Sequence, residues 1–331
     1  MKLFGETLSL FVALSWTVTA LFAEVGSKRM GSLAFNAIRM TMSLVMFCLA
    51  LWLMMGTPYP RYADGDTWLW LLLSGLVGYV IGDYCLMQGY ILIGSRFGQL
   101  FMTLSAPSAA IVGRLFLGEE MRPIAIVGMI VTIGGIAMSI LSKDNDTSTQ
   151  QQNGGRLKLN LPVNGIVYAC GAGICQGIGL VLSKVGLLHY DASLSAAIAS
   201  GTVESGVLDV PWDISIAFAS TMIRGLMGLT GFLLLMMLLK NERLDRLRSA
   251  VRDRKAMWCA AGSMLFGPFI GVSVSLMATR YTATGIAQTL FALTPVLIIA
   301  PAAWLFHQKV RVREVIGAIV SVCGAALFFL F

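Results

Sequence analysis

The stretch Leu104-Ser-Ala-Pro107-Ser-Ala-Ala-Ile-Val-Gly-Arg-Leu-Phe-Leu117 decides how this chain is read, because it returns as Ala292-Leu-Thr-Pro295-Val-Leu-Ile-Ile-Ala-Pro-Ala-Ala-Trp-Leu305. A polar break follows each copy, and then a Gly-rich apolar segment: Gly128-Met-Ile-Val-Thr-Ile-Gly-Gly135 in the first case, Gly317-Ala-Ile-Val-Ser-Val-Cys-Gly324 in the second. Other pairs keep the same order. Gly78-x-x-x-Gly82 answers Gly267-x-x-x-Gly271, Ile38-Arg39 answers Ile223-Arg224, and Ser27-Lys28 answers Ser183-Lys184 more weakly. One such match arises by chance; several in register along two halves mark an internal repeat.

The composition says what surrounds these segments. Of 331 residues, 57% are hydrophobic and only 12% charged. A soluble domain keeps roughly a quarter of its residues charged to cover its surface. The charges fall in short clusters between apolar runs, as when bilayer crossings alternate with wet loops. The net charge of +7 sits in those clusters, and no soluble module is long enough to form a nucleic-acid groove, so it reads as membrane topology.

A helix crosses the hydrocarbon core with roughly 20 apolar residues. Spans are predicted near 7–25, 33–56, 67–91, 98–117 and 122–141, then 163–187, 213–239, 256–277, 283–305 and 312–331. Continuous apolar runs exclude a β-barrel, whose strands alternate in polarity. Lys2 and the apolar run after it could be a signal, but the repeat assigns that run to the first span. The expected fold is an all-α membrane protein of ten transmembrane helices in two inverted five-helix repeats. The first repeat covers 1–142, a polar linker 143–161, and the second repeat 162–331. A second connection, about His189 to Pro211, is rich in Ala, Ser and Gly and has room for a short interfacial helix.

Five spans per repeat force the second copy to enter the membrane upside down. Inverted repeats place a shared site near the midplane, where the halves rock against each other, which points to a transporter. No catalytic set is visible and no P-loop pattern occurs, so the chain is read as a non-enzyme, without ATP-driven pumping. An ion gradient or substrate exchange then supplies the energy. The cysteines Cys48, Cys85, Cys170, Cys175, Cys259 and Cys323 all lie in apolar segments without zinc-site spacing, so they read as packing residues; no metal and no cofactor is implied.

Ionisable groups inside a span are costly and are functional candidates. Asp83, in Gly-Tyr-Val-Ile-Gly82-Asp83-Tyr84, is either a proton carrier or the structural partner of an arginine on a neighbouring helix. Arg39 and Arg224 take matching early positions in spans 2 and 7. The favoured account has them snorkel to the headgroups; the sharper one has them line the cavity and attract anionic groups. Glu24 could neutralise Arg39 but reads as interfacial. Gln88, Gln99, Gln176 and Gln288 lie in apolar spans, where amides hold helices together and one or two face the cavity. Trp16 could stack on a substrate, although packing is the plainer reading. Pro107 and Pro295 free carbonyls one turn earlier and can bend their helices.

These residues resemble the EamA family of the drug/metabolite transporter superfamily, in which each half has a proline in its fourth span, Leu-Gly-Glu at that span's end and a Gly-rich fifth span. The first half shows Pro107, Leu117-Gly118-Glu119, Gly128, Gly134 and Gly135; the second shows Pro295 but Leu305-Phe306-His307-Gln308 in place of Leu-Gly-Glu. The resemblance implies a ten-span carrier of metabolites, amino acids or toxic compounds, often outward, in a cell membrane and here a bacterial inner membrane. Its partners would be a small-molecule substrate and the lipid bilayer, as a monomer or homodimer, with no nucleic acid.

Lysine and arginine concentrate in the odd-numbered loops, including Lys240, Arg243, Arg246, Arg248, Arg252, Arg254 and Lys255 after span 7. Positive-inside reasoning puts those loops in the cytoplasm and both termini outside. The resemblance implies the reverse; the charge bias is followed here. The readings set against a carrier are a membrane-embedded enzyme and a non-transporting scaffold or sensor.

Overall fold

The computed structural model describes residues 2–117, 123–142, 158–159, 161–201, 211–238, 244–281, 290–307 and 310–330. The described chain is helical, with one two-residue ladder. In order come α1 (Lys2–Met30), α2 (Ser32–Met55), and α3 (Gly65–Gly75), which runs through a π-helical segment (Leu76–Asp83) into α4 (Tyr84–Phe101). A 3₁₀ turn (Met102–Leu104) leads to α5 (Ser105–Leu117), then α6 (Pro123–Ile140). Strands β1 (Leu141–Ser142) and β2 (Lys158–Leu159) pair antiparallel and clip together the two ends of the linker.

The second half has α7 (Val163–Ala199), α8 (Trp212–Leu238), a short α9 (Leu244–Arg252), and α10 (Arg254–Met264). From α10 the chain passes through a second π-helical segment (Leu265–Val272) into α11 (Ser273–Tyr281), then α12 (Thr294–Leu297), α13 (Ile299–Phe306) and α14 (Val312–Leu330). The helix from Val163 continues unbroken to Ala199, so the first part of the expected connection after span 6 is helix. The basic loop after span 7 also carries helix, α9, whose charged residues include Arg248 and Arg252.

Among the described residues, six helical stretches are long and apolar enough to cross a membrane: Phe4–Met30, Ser32–Met55, Gly65–Phe116, Val163–Ala199, Ile214–Leu238 and Arg254–Ser275. Ile126–Ile140 and Thr294–Phe306 are shorter and also apolar. Their outer surface is apolar as well. Trp304, Trp258, Met237 and Leu115 are each at least 75% exposed, which suits lipid and not water.

Glycine makes two of the junctions. At 52 residues the third stretch is more than twice what one crossing needs, and it breaks at Gly94 (φ 82°, ψ 162°). Gly31 joins α1 to α2 with nearly the same dihedrals, φ 83° and ψ 159°. That left-handed, extended conformation is one L side chains rarely adopt. It lets two helices abut with a single residue between them.

Two pairs of corresponding helices, α6 with α14 and α2 with α8, pack against each other antiparallel. Along α6 and α14, a Cβ on Gly135 would meet Ser321, one on Gly317 would meet Ser139, and one on Gly324 would meet Thr132, so the numbers rise on one helix as they fall on the other. Thr132 and Ser321 also hydrogen-bond across this seam. Small residues of this kind let helices approach closely in a membrane. Between α2 and α8 the order is the same: Leu33 and Met40 share a core with Phe232 and Met236, while Leu51 and Met55 share one with Ile216 and Ala219.

The remaining pairings interleave the halves. Helix α1 lies along α10 and α11, with Phe22 over Gly262, Thr19 over Gly267 and Trp16 over Gly271. Helix α7 lies along α3 and α4, with Gly179 against Gly78, Cys175 against Gly82 and Ala169 against Gly89. Both partner helices carry a π-helical segment at this contact. The two segments read Leu76-Val-Gly78-Tyr79-Val-Ile81-Gly82-Asp83 and Leu265-Phe-Gly267-Pro268-Phe-Ile270-Gly271-Val272. Where the first has Tyr79 and Asp83, the second has Pro268 and Val272.

Pro107 and Pro295 both stand just past a break in their helices. Pro107 is in the first turn of α5, after the 3₁₀ turn, and Pro295 is in the first turn of α12. In the second case Phe291, one turn back, gives its carbonyl to the hydroxyl of Thr294 at 2.8 Å.

Candidate functional site

The π-helical segment ends at Asp83, on the surface that α2, α7 and α8 cover. An extra residue in the turn disturbs the regular ladder, a device often found at functional sites. Arg39 reaches across from α2, and its Nη2 donates to Asp83 Oδ2 at 2.5 Å and to Asn36 Oδ1 at 2.9 Å. Asn36 in turn donates to the Asp83 backbone carbonyl at 3.3 Å. From α7, Gln176 donates to Asp83 Oδ1 at 3.3 Å. One carboxylate thus ties three helices together.

Arg224 enters from α8. Its guanidinium lies over the ring of Tyr79, 4.7 Å from the centroid, and its Nη2 would stand 3.2 Å from a Cβ on Gly78. Arg39, Asp83 and Arg224 are 4, 6 and 7% exposed, so these charged groups are closed off from solvent. Both arginines act electrostatically on Asp83. Two fixed positive charges therefore face one carboxylate.

This burial corrects the favoured account of the two arginines. Neither snorkels to a headgroup: Arg39 is held inward by Asp83, and Arg224 stands near the middle of the 27-residue α8 rather than at its end. Of the two accounts of Asp83, the ion pair with a neighbouring helix is the contact observed; the proton role is a separate question of mechanism.

Glu24 is corrected too. It neither touches Arg39 nor lies open at the interface, being 1% exposed. Its Oε1 pairs with Lys28 at 2.5 Å, and its Oε2 accepts the Ser95 backbone N–H at 2.6 Å. Ser95 opens the helix after Gly94, so the carboxylate satisfies a first-turn donor and meets the positive end of the helix dipole.

The amides divide. Gln176 joins the charged cluster, whereas Gln88 binds Ser32 at 3.0 Å and Tyr84 at 3.4 Å, and Gln99 binds the Tyr90 hydroxyl at 2.6 Å, both in helix-packing roles. Trp16 packs on Phe291, 5.3 Å between centroids, and against Gly271. Gln288 and Glu119 lie outside the described residues.

Tyr79 and Arg96 are the groups that sequence reading passes over. Arg96 follows the Gly94 break in a stretch that reads as a short loop, yet it is 8% exposed and sits 3.0 Å from Glu314 of α14. That contact is off the line of a hydrogen bond, and among the described residues Arg96 Nε and Nη1 and Glu314 Oε2 have no hydrogen-bond partner. Phe97, Ser139 and Pro295 line the small crevice beside the pair.

The ion pairs also sort the connections. Arg29, at the α1–α2 turn, binds Asp253 at 2.7 Å before α10; Lys28 lies over Phe306 at the end of α13; Arg96 and Glu314 join the start of the helix after Gly94 to the start of α14. The odd connections thus converge on one end of the bundle. At the opposite end, Tyr190 of α7 donates to the Arg61 carbonyl at 2.6 Å, and Tyr62 packs on Trp212. There Asp64, Asp66 and His189 bring potential ligand atoms within 4.8 Å of one another. Asp64 is already spent as the cap of α3, accepting from Thr67 N at 2.8 Å.

Lipid-facing helices in interleaved, antiparallel sets, with charges sealed where the sets cross, define a multi-pass membrane protein built on an internal repeat. The EamA-like transporter family matches residues 3–141 and 213–330, and the chain belongs to that family, within the drug/metabolite transporter superfamily. The two matches leave out the linker and α7. Among solved structures, 27 chains match; one, titled "Crystal structure of protein", is 15% identical at a TM-score of 0.56, covering 99% of this chain and 96% of its own. That likeness concerns the fold alone. No curated protein matches the sequence.

Proposed function

We propose that this protein is a secondary transporter that exports or exchanges a small metabolite, amino acid or drug-like compound by alternating access. In this reading the bundle has ten spans in two inverted five-helix repeats, 1–142 and 162–331, joined by the linker 143–161. The odd, basic end faces the cytoplasm of a bacterial inner membrane. The single observation that carries it is the Arg39–Asp83–Arg224 cluster, buried where α2 and α8, corresponding helices of the two halves, cross.

Rocking one half on the other changes what surrounds these charges, so their pairing is coupled to which side is open. Asp83 is the proton carrier of the cycle: protonation neutralises it and releases Arg39, and deprotonation restores the pair. The test is a metabolite-wide transport screen of the purified protein in proteoliposomes, with and without a pH gradient. Uptake that follows the gradient in the wild type and ignores it in Asp83→Asn is the expected result. Movement of no compound under either condition sinks the carrier reading; unchanged pH dependence in Asp83→Asn sinks the proton role alone.

A further inference from the structure

The repeat duplicates its arginine but not its acid. Ile38-Arg39 and Ile223-Arg224 correspond, yet Val272 stands in the second π-helical segment where Asp83 stands in the first. Arg39 is consequently paired, and Arg224 is not. Among the described residues no carboxylate lies within ion-pair distance of Arg224, its Nε has no hydrogen-bond partner, and its contact is the face of the Tyr79 ring. The Tyr79 hydroxyl, also buried, has no hydrogen-bond partner among the described residues either.

Guanidinium stays protonated at any accessible pH. A buried cation without a counter-charge is strongly disfavoured, and an aromatic face offsets only part of that cost. Asp83 is bonded to Arg39 through Oδ2 and to Gln176 through Oδ1, and among the described residues it makes no bond to Arg224. The cluster therefore has one positive charge in excess and, among the described residues, three buried donors without a hydrogen-bond partner: Arg224 Nε, Tyr79 OH and Arg39 Nε.

We infer that Arg224, with Tyr79 beside it, is the anion-binding position of this carrier, and that the transported compound bears a carboxylate, phosphate or sulfonate group. This rests on the carrier reading above. A planar guanidinium fork matches such groups and holds them by two charge-assisted bonds. Gly78 puts no side chain against the guanidinium, since a Cβ there would stand 3.2 Å from Arg224 Nη2. The anion comes from a soluble molecule and not from a lipid headgroup. Arg224 lies near the middle of Trp212–Leu238, so about 18 Å of helix separates it from one end and about 21 Å from the other.

The purified protein, reconstituted in phosphatidylcholine alone, is titrated with acetate, succinate, methanesulfonate and inorganic phosphate, with choline and glycerol as controls at matched ionic strength. Binding is read as the shift in thermal unfolding. At least one anion should stabilise the wild type saturably and the controls should not. Arg224→Gln should weaken that anion at least tenfold, Arg224→Lys less, and Gly78→Ala and Tyr79→Phe several-fold. Stabilisation by none of the four anions, or equal stabilisation of wild type and Arg224→Gln, overturns the inference. Should Arg224→Gln not fold, Gly78→Ala and Tyr79→Phe decide, and unchanged anion affinity in both overturns it. A parallel set with phosphatidylglycerol tests the lipid source: loss of the anion effect there would mean that headgroups fill the position, against the proposal. Transport in the same vesicles separates the two readings. Neutral or cationic cargo moved equally by wild type and Arg224→Gln leaves a carrier without this site, and anion binding without any transport leaves the site without a carrier.

Discussion

Arg39 Nη2 and Asp83 Oδ2 meet at 2.5 Å inside the bundle, one from α2 and the other from the last residue of a π-helical segment 44 positions later. Removing one member of such a pair strands the other, at a typical cost of about 3–5 kcal/mol, whereas replacing both by apolar groups is often neutral. Asp83→Leu and Arg39→Met should each lower the unfolding temperature sharply, and the double variant should recover most of the loss. Thermal unfolding of all four proteins in one detergent gives the coupling. Additive losses would mean that the pair does not act as a unit.

Much of this is legible in the sequence. The repeat, the glycine spacing of the close helix contacts and the intramembrane position of Asp83 all follow from the order of residue types. What the sequence does not state is which helices are neighbours. Arg39 reads as near a span end and free to snorkel, because only the folded bundle brings Asp83 to its level. Arg96 reads as loop, because its partner Glu314 is more than two hundred residues away. Glu24 reads as interfacial, because its second acceptor site serves a backbone N–H created by the break at Gly94. In each case a local rule was overridden by a long-range contact to a charge or dipole.

The adjacent glycines of α6 make a matched pair. A Cβ on Gly135 would fall 2.5 Å from Ser321 N and Oγ of α14, whereas one on Gly134 meets nothing within 4 Å. Gly135→Ala should force the α6–α14 seam apart, at about 1–3 kcal/mol for an overpacked contact. Gly134→Ala should be neutral or slightly stabilising through helix propensity. Unfolding temperatures, and the efficiency of a cysteine cross-link engineered across the seam, should drop for the first and hold for the second. Equal behaviour would mean the seam is looser than the backbone contacts describe.

At the opposite end of the bundle, Asp64 caps α3. Its carboxylate accepts from the backbone N–H of Thr67 at 2.8 Å and from the Thr67 hydroxyl, which holds its carboxyl below the ordinary value of 3.8. A group whose folded pKa is depressed contributes stability that is fully present above the unfolded value and disappears as pH falls through the folded one. Asp64→Ala should therefore cost about 1 kcal/mol near neutral pH, the usual worth of such a cap. The gap in unfolding temperature between variant and wild type should narrow as pH drops below 3.8. A gap that stays constant down to pH 2 would assign the loss to packing.

The sidedness proposed from charge is open to a direct measurement. The odd end holds Arg29, Arg96, Arg248, Arg252 and Arg254, and a positive end belongs in the cytoplasm. Val251, 53% exposed on α9, marks that end, and Tyr59, 56% exposed between α2 and α3, marks the other. With the six native cysteines replaced, Tyr59→Cys should react with a membrane-impermeant maleimide on intact cells, and Val251→Cys only after permeabilisation. The reverse pattern would place both termini in the cytoplasm. The basic face of α9 would then lie outside, where no anionic inner leaflet attracts it, and the charge bias would need a cause other than topology.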